Sequence, residues 1–333
     1  LDVAMFSCTG TEANELALRI ARHYTEGTGL IVTEDAYHGN SHAIAEISTE
    51  DNEPEDRSDY IVTVPAPDTY RGLYRGEDAA RKYANHVKEA IEELQKRGIK
   101  LAAFIIDTIV SSSGVVGAPS GYLKMVAKII DDAGGLFVAD EVQPGFGRTG
   151  ETFWGFESDA FLPDIVTMGK PMGNGHPLAA TIIKRSLVEK FAKKTGYFNT
   201  FGGNAVSCAA SLACIQEIEG NKLTENVNRL SPIFLKHLKH PAIIETRGIG
   251  FFLCVEFKNQ AFNFGVIKKC IEKGVITDWS EPVNAKLSEV DVNLLWGKKK
   301  QFKTVINNFH LAALNRQDLN SPDALIIGSI EEY

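Results

Sequence analysis

The sequence predicts an α/β fold: a mostly parallel central sheet with helices on both faces, followed by a smaller α+β part. Leu101-Ala102-Ala103-Phe104-Ile105-Ile106, Leu136-Phe137-Val138-Ala139 and Ile165-Val166-Thr167-Met168 are short, nearly continuous apolar runs. Strands of that kind are buried on both faces, as in parallel sheets. Amphipathic segments over 79–97 and 121–133 precede the first two of these runs, which is the alternation of a strand-helix-strand architecture. At 333 residues the chain has about twice the length of a typical domain. We divide it at 1–220, the large part, and 221–333, the smaller one, whose last stretch from about residue 280 shows no assignable pattern.

The elements follow in order. Met5-Phe6-Ser7 begins the chain as if within a strand and leads through Thr9-Gly10-Thr11 into a helix. Ala13, Leu16, Ala17 and Ile20 recur there at helical spacing, and Thr9 or Thr11 can cap its start. Gly29–Thr33 reads as a strand, Ala79–Arg97 as a charged helix, and Leu101–Asp107 as a strand. A helix over Gly121–Ala133 ends at Gly134-Gly135. Leu136–Asp140 and Asp164–Lys170 are the next strands. Asn204–Ile218 is a helix rich in Ala and Ser, another helix spans about Lys222–Lys239, and Arg247–Glu256 is a turn leading into a strand. Lys298-Lys299-Lys300 reads as a solvated charge run. No internal repeat or low-complexity segment occurs.

Composition removes several classes. Lys plus Arg is 35 and Asp plus Glu is 43, a net charge of −8. That sign gives no general attraction to nucleic acid or anionic membranes. Cys8, Cys208, Cys214, Cys254 and Cys270 contain no Cys-x-x-Cys pair and are odd in number, which favours reduced thiols and a cytoplasmic setting over a disulfide framework or zinc site. No apolar run approaches the roughly 20 residues that span a bilayer. The chain has no initiator Met, and we read it as lacking an N-terminal segment.

Two strands end in polar residues, Asp140 and Lys170, 30 positions apart. Ligands of open parallel sheets bind beyond the carboxyl ends of the strands, so an acid and an amine delivered there can share one cleft. A surface ion pair is the alternative. The adjoining loops, 141–150 and 169–177, are dense in Gly and Pro, which lets backbone approach a ligand closely. His38 and His42 stand at i, i+4, but no third ligand supports a metal site, and none is expected. No G-x-S-x-G or Walker A pattern occurs, so serine hydrolase and P-loop chemistry are disfavoured.

Five ordered motifs resemble the large domain of the class III aminotransferases, the fold-type I family that uses pyridoxal 5′-phosphate. They are Thr9-Gly10-Thr11-Glu12-Ala13-Asn14, Tyr37-His38-Gly39, Asp140-Glu141-Val142-Gln143, Gly169-Lys170 and Asn199-Thr200-Phe201-Gly202-Gly203-Asn204. The resemblance implies that Lys170 is the Schiff-base lysine and that Asp140 binds the pyridine nitrogen, keeping the ring able to accept electrons. It places Val142 on one ring face, Tyr37 stacked on the other, and Gln143 on the phenolic oxygen. His38 joins the cofactor-binding set through its motif. Gly10 and Thr11, at a helix start, suit the phosphate. Thr200 matches a residue that reaches the phosphate of the neighbouring subunit, which implies a homodimer with shared active sites. Asp107 stands where the family usually has a glutamate, and its shorter side chain need not reach the same partner.

Within the family, Pro67-Asp68-Thr69-Tyr70-Arg71-Gly72 and the segment 163–177 look most like the branch holding alanine–glyoxylate aminotransferase 2 and ethanolamine-phosphate phospho-lyase. The implied activity is amino transfer between an amino donor and an oxo acid, with Lys170 carrying the proton. The alternatives are elimination of phosphate from a phosphorylated amine and a non-catalytic fragment. Arg71, Arg75 and Lys184 are candidates for an anionic substrate, though residues of this kind are more often solvated surface residues. The tail after about residue 280 departs from the family's usual closing pattern.

Overall fold

The computed structural model describes residues 1–50, 54–257, 263 and 265–269. Cys270, Lys298-Lys299-Lys300 and the rest of the stretch after residue 280 lie outside the described residues. In chain order the elements are β1 (Val3–Ser7), α1 (Gly10–Thr25), β2 (Gly29–Thr33), the single turn α2 (His42–Ala45), β3 (Ile61–Val64), α3 (Ala79–Lys96) and β4 (Leu101–Asp107). They continue with α4 (Tyr122–Asp132), β5 (Leu136–Asp140), β6 (Ile165–Met168), β7 (Ala179–Ile183) and α5 (Arg185–Lys194). Last come α6 (Ala205–Gly220), α7 (Leu223–His237), β8 (Ile243–Ile249) and β9 (Phe252–Phe257).

Seven strands form one sheet in the order β1-β7-β6-β5-β4-β2-β3. β3, β2, β4, β5 and β6 run parallel, while β7 is antiparallel to both β6 and β1. The sheet is therefore mostly parallel, with one reversed strand near its edge. Alternate residues along each strand enter opposite faces, as the two-residue period of a strand requires. Leu30, Val32, Ala103, Ile105, Leu136 and Val138 pack with Leu16, Ile20, Leu187 and Phe191 of α1 and α5. Ile31, Phe104, Ile106, Phe137 and Ala139 pack with Tyr83, Val87, Leu94, Val126 and Ile130 of α3 and α4. Each fully buried large apolar side chain contributes about 1.5–3 kcal/mol, so these two layers fix the sheet on which the polar ends stand.

Local rules explain the boundaries. Thr9, not Thr11, caps α1: its hydroxyl accepts from Glu12 N at 3.2 Å, and the Glu12 carboxylate accepts from Thr9 N at 2.9 Å. That reciprocal pair starts the helix at Gly10, three residues before the first apolar position of the spacing, Ala13. Asn204 caps α6 by accepting from Ser207 N at 3.0 Å. β6 stops at Met168, two residues short of Lys170, because Gly169 turns the chain and Pro171 has no N–H to extend a ladder. Lys170–Gly173 is instead a 3-10 turn. Strands β3 and β7 and helix α5 escaped the sequence reading; β7 follows a Pro-rich loop and carries two alanines in five residues, a weak strand signature.

Arg247–Glu256 proves to be most of a hairpin, β8 and β9, rather than a single strand. Three contacts tie it to the large sheet's loops: Arg247 Nε to Gly114 O at 2.9 Å, Phe251 N to Arg148 O at 3.1 Å, and Arg71 Nη1 to Glu256 Oε1 at 2.8 Å. Leu223 and Val227 of α7 pack into the same apolar layer as Phe137 and Val166.

Candidate active site

The parallel register assembles the site. Asp107 of β4 is paired with Asp140 of β5, and Asp140 with Thr167 of β6, so three adjacent strands deliver polar side chains at one level. Lys170 follows two residues beyond β6, at the same edge, with a positive φ of 24°. Such a backbone is uncommon for a residue with a Cβ and is held only where its surroundings dictate it. The N-terminus of α1 reaches this edge as well. A Cβ on Gly10 would lie 2.8 Å from Val142 Cγ1, and one on Gly169 would lie 3.4 Å from Gly10 N. A side chain at position 10 would collide with Val142, so glycine there lets the start of α1 approach the Val142 side chain.

Asp140 is buried and surrounded by donors. Its Oδ2 accepts from Asn14 Nδ2 at 2.9 Å and lies 2.7 Å from His38 Nδ1; its Oδ1 accepts from Val142 N at 3.0 Å. Asn14 is itself fixed, donating also to His38 O at 2.8 Å and accepting from the Thr167 hydroxyl at 2.6 Å. With Asp140 as acceptor, the His38 ring proton sits on Nδ1. His38 Nε2 is then a buried nitrogen without a hydrogen-bond partner among the described residues. Asn14 and Thr167 were missed as site residues. The signals were present: a polar side chain four residues after Gly10 on an otherwise apolar helix face, and a lone hydroxyl inside an apolar strand.

A carboxylate offers about four acceptor sites; Asn14, His38 and Val142 N take three, while the Thr167 hydroxyl, 3.4 Å from Oδ1, gives its single hydrogen to Asn14 at 2.6 Å. One more N–H donor, such as a protonated pyridine nitrogen, fits Asp140. Val142, nine-tenths buried and wedged against Gly10, offers an apolar surface beside that position. At the start of α1 the Glu12 carboxylate is turned back onto the N–H groups of Cys8 and Thr9. The N–H groups of Gly10 and Thr11, in the first turn, have no intrahelical acceptor and suit an anion. The Thr11 hydroxyl meets Asn40 N at 3.3 Å, beside Gly39. The residues present therefore fit pyridoxal 5′-phosphate. Tyr37 is half-buried next to His38.

Asp107 does not touch Gln143 directly. Its Oδ1 accepts from Ile109 N and its Oδ2 from Ser111 N, both at 3.0 Å, and the Ser111 hydroxyl also donates to Oδ2. Gln143 Nε2 donates to Ser111 Oγ at 2.6 Å. Burial pushes the Asp107 carboxyl above its ordinary range, with the charge of Asp140 adding to the rise and the Ser111 hydroxyl opposing it. The short side chain is thus the cap of the turn after β4.

Glu141 is the other unforeseen residue. It is fully buried, and its carboxylate accepts from Thr108 Oγ1 at 2.7 Å, Gly155 N at 2.8 Å and Phe156 N at 2.9 Å. Burial pushes it up to about 7, against those three donors and with the Asp107 charge assisting. Its folded value lies above the unfolded one of about 4.3, so the native state binds more protons in between. The associated stability is complete below about pH 4 and is lost as pH rises through about 7. Glu141→Gln should remove that part of the slope in denaturant titrations at about pH 5 and about pH 8. It should also cost about 1–3 kcal/mol at the lower pH, where an amide N–H meets one of the donors. An unchanged slope would contradict this account of Glu141.

Several candidates lie elsewhere. Lys184 follows the reversed strand β7, hence stands at the opposite edge of the sheet, where it pairs with Asp164. It cannot serve a ligand at Asp140. Arg71 is engaged by Glu256 and lies 3.8 Å from Asp68; Arg75 is exposed. His38 is buried on Asp140 while the His42 side chain is 97% exposed, so the two do not converge. Among the described residues no cluster of His, Cys, Asp and Glu is arranged for a metal. Thr200 is exposed on the loop before α6, flanked by Phe198 (85% exposed) and Phe201 (68%).

Residues 2–306 match the family described as aminotransferase class-III. An ethanolamine-phosphate phospho-lyase homolog of Caenorhabditis elegans is 37% identical over 76% of this chain and 58% of its own length. An alanine–glyoxylate aminotransferase 2-like protein of Drosophila melanogaster is 38% identical over 77% of this chain and 55% of its own. The chain thus spans little more than half the length of these relatives. Among solved structures, a phospholyase from Arthrobacter in complex with phosphoethanolamine superposes with a TM-score of 0.80 at 34% identity, over 85% of this chain and 70% of that one. A Bacillus anthracis aminotransferase gives 0.74 at 28%, over 90% and 75%.

Proposed function

The chain belongs to the class-III aminotransferases, whose cofactor is pyridoxal 5′-phosphate, and from that premise we propose that it moves an amino group between an amino donor and an oxo acid. The observation that carries the reading is the convergence of Asp140, the Lys170 turn and the α1 N-terminus at one sheet edge, with Gly10, Val142 and Gly169 in contact distance. When bound, the cofactor supplies an electron sink for the carbanion left by removal of a proton from the substrate. Asp140 receives the ring nitrogen, held in place by Asn14, His38 and Val142 N. Val142 and Tyr37 bound the ring faces and exclude water. Gln143 donates to the phenolic oxygen, and the first turn of α1 with Gly10 and Thr11 takes the phosphate. The Lys170 amine would hold the cofactor covalently and would serve as the base and acid for the substrate proton.

A second reading, elimination of phosphate from a phosphorylated amine, is favoured by the likeness to the Arthrobacter phospholyase and the C. elegans phospho-lyase homolog. Both activities use the same residues up to proton removal. Incubation with amino donors and an oxo acid, and separately with phosphoethanolamine, divides them. Consumption of oxo acid without phosphate release is the expected result. Phosphate release with no oxo acid consumed overturns the first reading in favour of the second.

The active form is proposed to be a homodimer with shared sites. Beside Phe198 and Phe201, α6 exposes Val206 and Leu212, 67% and 56% accessible, on one face of the helix. An apolar face of that kind marks a protein interface. Thr200 then reaches the partner subunit's cofactor phosphate. Thr200→Val should weaken cofactor retention several-fold, since one hydroxyl on a charged acceptor contributes about 1–2 kcal/mol, without lowering the melting temperature. A protein that is monomeric by light scattering yet binds the cofactor tightly would contradict the shared site. A cytoplasmic setting is supported by the free thiols of Cys8, Cys208, Cys214 and Cys254. Among the described residues no helix is long and apolar enough to cross a membrane.

A further inference from the structure

The relay from Asp107 through Ser111 to Gln143 has a direction. A serine hydroxyl carries one hydrogen. Here that hydrogen is given to Asp107 Oδ2, a carboxylate oxygen that also accepts Ser111 N–H at 3.0 Å. Toward Gln143 the Ser111 oxygen can therefore only accept, and the partner it meets, at 2.6 Å, is Gln143 Nε2. The opposite amide orientation would set the Gln143 carbonyl oxygen against the lone pairs of Ser111. One of two nearly isosteric orientations is selected, and the second Nε2 hydrogen is left as a donor.

We propose that Ser111 and Asp107 are positioning residues that fix the orientation of the Gln143 side-chain amide, so that its remaining N–H faces the phenolic oxygen of the cofactor. This rests on the role given to Gln143 above. It also gives Asp107 a task that its longer counterpart, a glutamate, would not perform in the same way. The carboxylate is anchored within the turn by Ile109 N and Ser111 N rather than extended across the cleft.

The test uses the full-length protein loaded with pyridoxal 5′-phosphate, as wild type, Ser111→Ala, Ser111→Thr, Gln143→Ala and the Ser111→Ala/Gln143→Ala double variant. Two quantities are read: the dissociation constant of the cofactor and the pH midpoint of its visible absorbance band. Gln143→Ala should weaken retention about tenfold, the scale of one hydrogen bond to a charged acceptor, and shift the midpoint. Ser111→Ala should shift the midpoint in the same direction and weaken retention several-fold, and the double variant should be no worse than Gln143→Ala alone. Ser111→Thr, which keeps the hydroxyl, should restore both readings. Additive effects in the double variant, or a Ser111→Ala variant whose midpoint does not move, overturn the relay while leaving Gln143 in place. A Gln143→Ala variant with an unmoved midpoint overturns the role of Gln143 and the relay with it. If Ser111→Ala does not fold, Asp107→Ala makes the same comparison. It removes the acceptor that holds the Ser111 hydroxyl hydrogen, freeing that hydrogen for the Gln143 carbonyl, and a midpoint that stays at the wild-type value overturns the proposal.

Discussion

Lys170→Ala is expected to lower turnover by about 10⁴-fold or more while leaving the fold intact. The argument is one of position. β6 is a buried strand, and Gly169 ends it with its backbone beside that of Gly10. The next residue is held at a positive φ and opens a 3-10 turn containing Pro171. An amine on a flexible stem is thereby delivered to the edge where Asp140 and Thr167 stand in register. It has two tasks, covalent attachment and proton transfer, and general acid–base catalysis alone is worth about 10²–10⁴ in rate. Stopped assays on the purified variant, with circular dichroism to verify folding, measure this. Turnover within about tenfold of wild type would remove Lys170 from the chemistry.

The second large effect is that of Asp140→Asn, expected to cost roughly a hundredfold or more in turnover with modest loss of cofactor. The substitution preserves shape but replaces an acceptor by an oxygen and an NH₂ group. One side of the new amide would face either Asn14 Nδ2 and His38 Nδ1, or Val142 N, all of which require acceptors. The asparagine is therefore strained as well as uncharged, and a ring nitrogen placed on it loses its counter-charge. Loss of one such preorganised electrostatic contact is worth about 3–4 kcal/mol. Near-normal turnover would contradict the assignment. Asn14→Ala separates charge from positioning, because it removes a donor from Asp140 and an acceptor from Thr167 while leaving the carboxylate.

Much of this arrangement is legible in the amino-acid sequence. The apolar runs at 101–106, 136–139 and 165–168 fixed the parallel strands because each strand is buried on both faces and admits few polar residues. The polar residues read at the ends of two of those strands, Asp140 and Lys170, were then visible as groups of one sheet edge. What escaped depends on register and turn geometry, which apolar periodicity does not encode. Thr167 became a site residue only when β5 and β6 were aligned, and Ser111 only when the turn after β4 brought it back to Asp107 and Gln143. Glu141 lay within the Asp140-Glu141-Val142-Gln143 motif, yet its burial follows from the chain over 155–156 folding onto it. For Lys184 the surface reading holds, because the reversal of β7, invisible in its composition, carries it to the far edge.

The most direct measurement of the central claim is covalent mapping of the cofactor. The protein is loaded with pyridoxal 5′-phosphate, reduced with borohydride, digested and sequenced by mass spectrometry. The account predicts a single pyridoxyl-modified lysine, Lys170, in the peptide containing Thr167-Met168-Gly169. A label on another lysine, or no label on a protein that retains the cofactor through gel filtration, would contradict it.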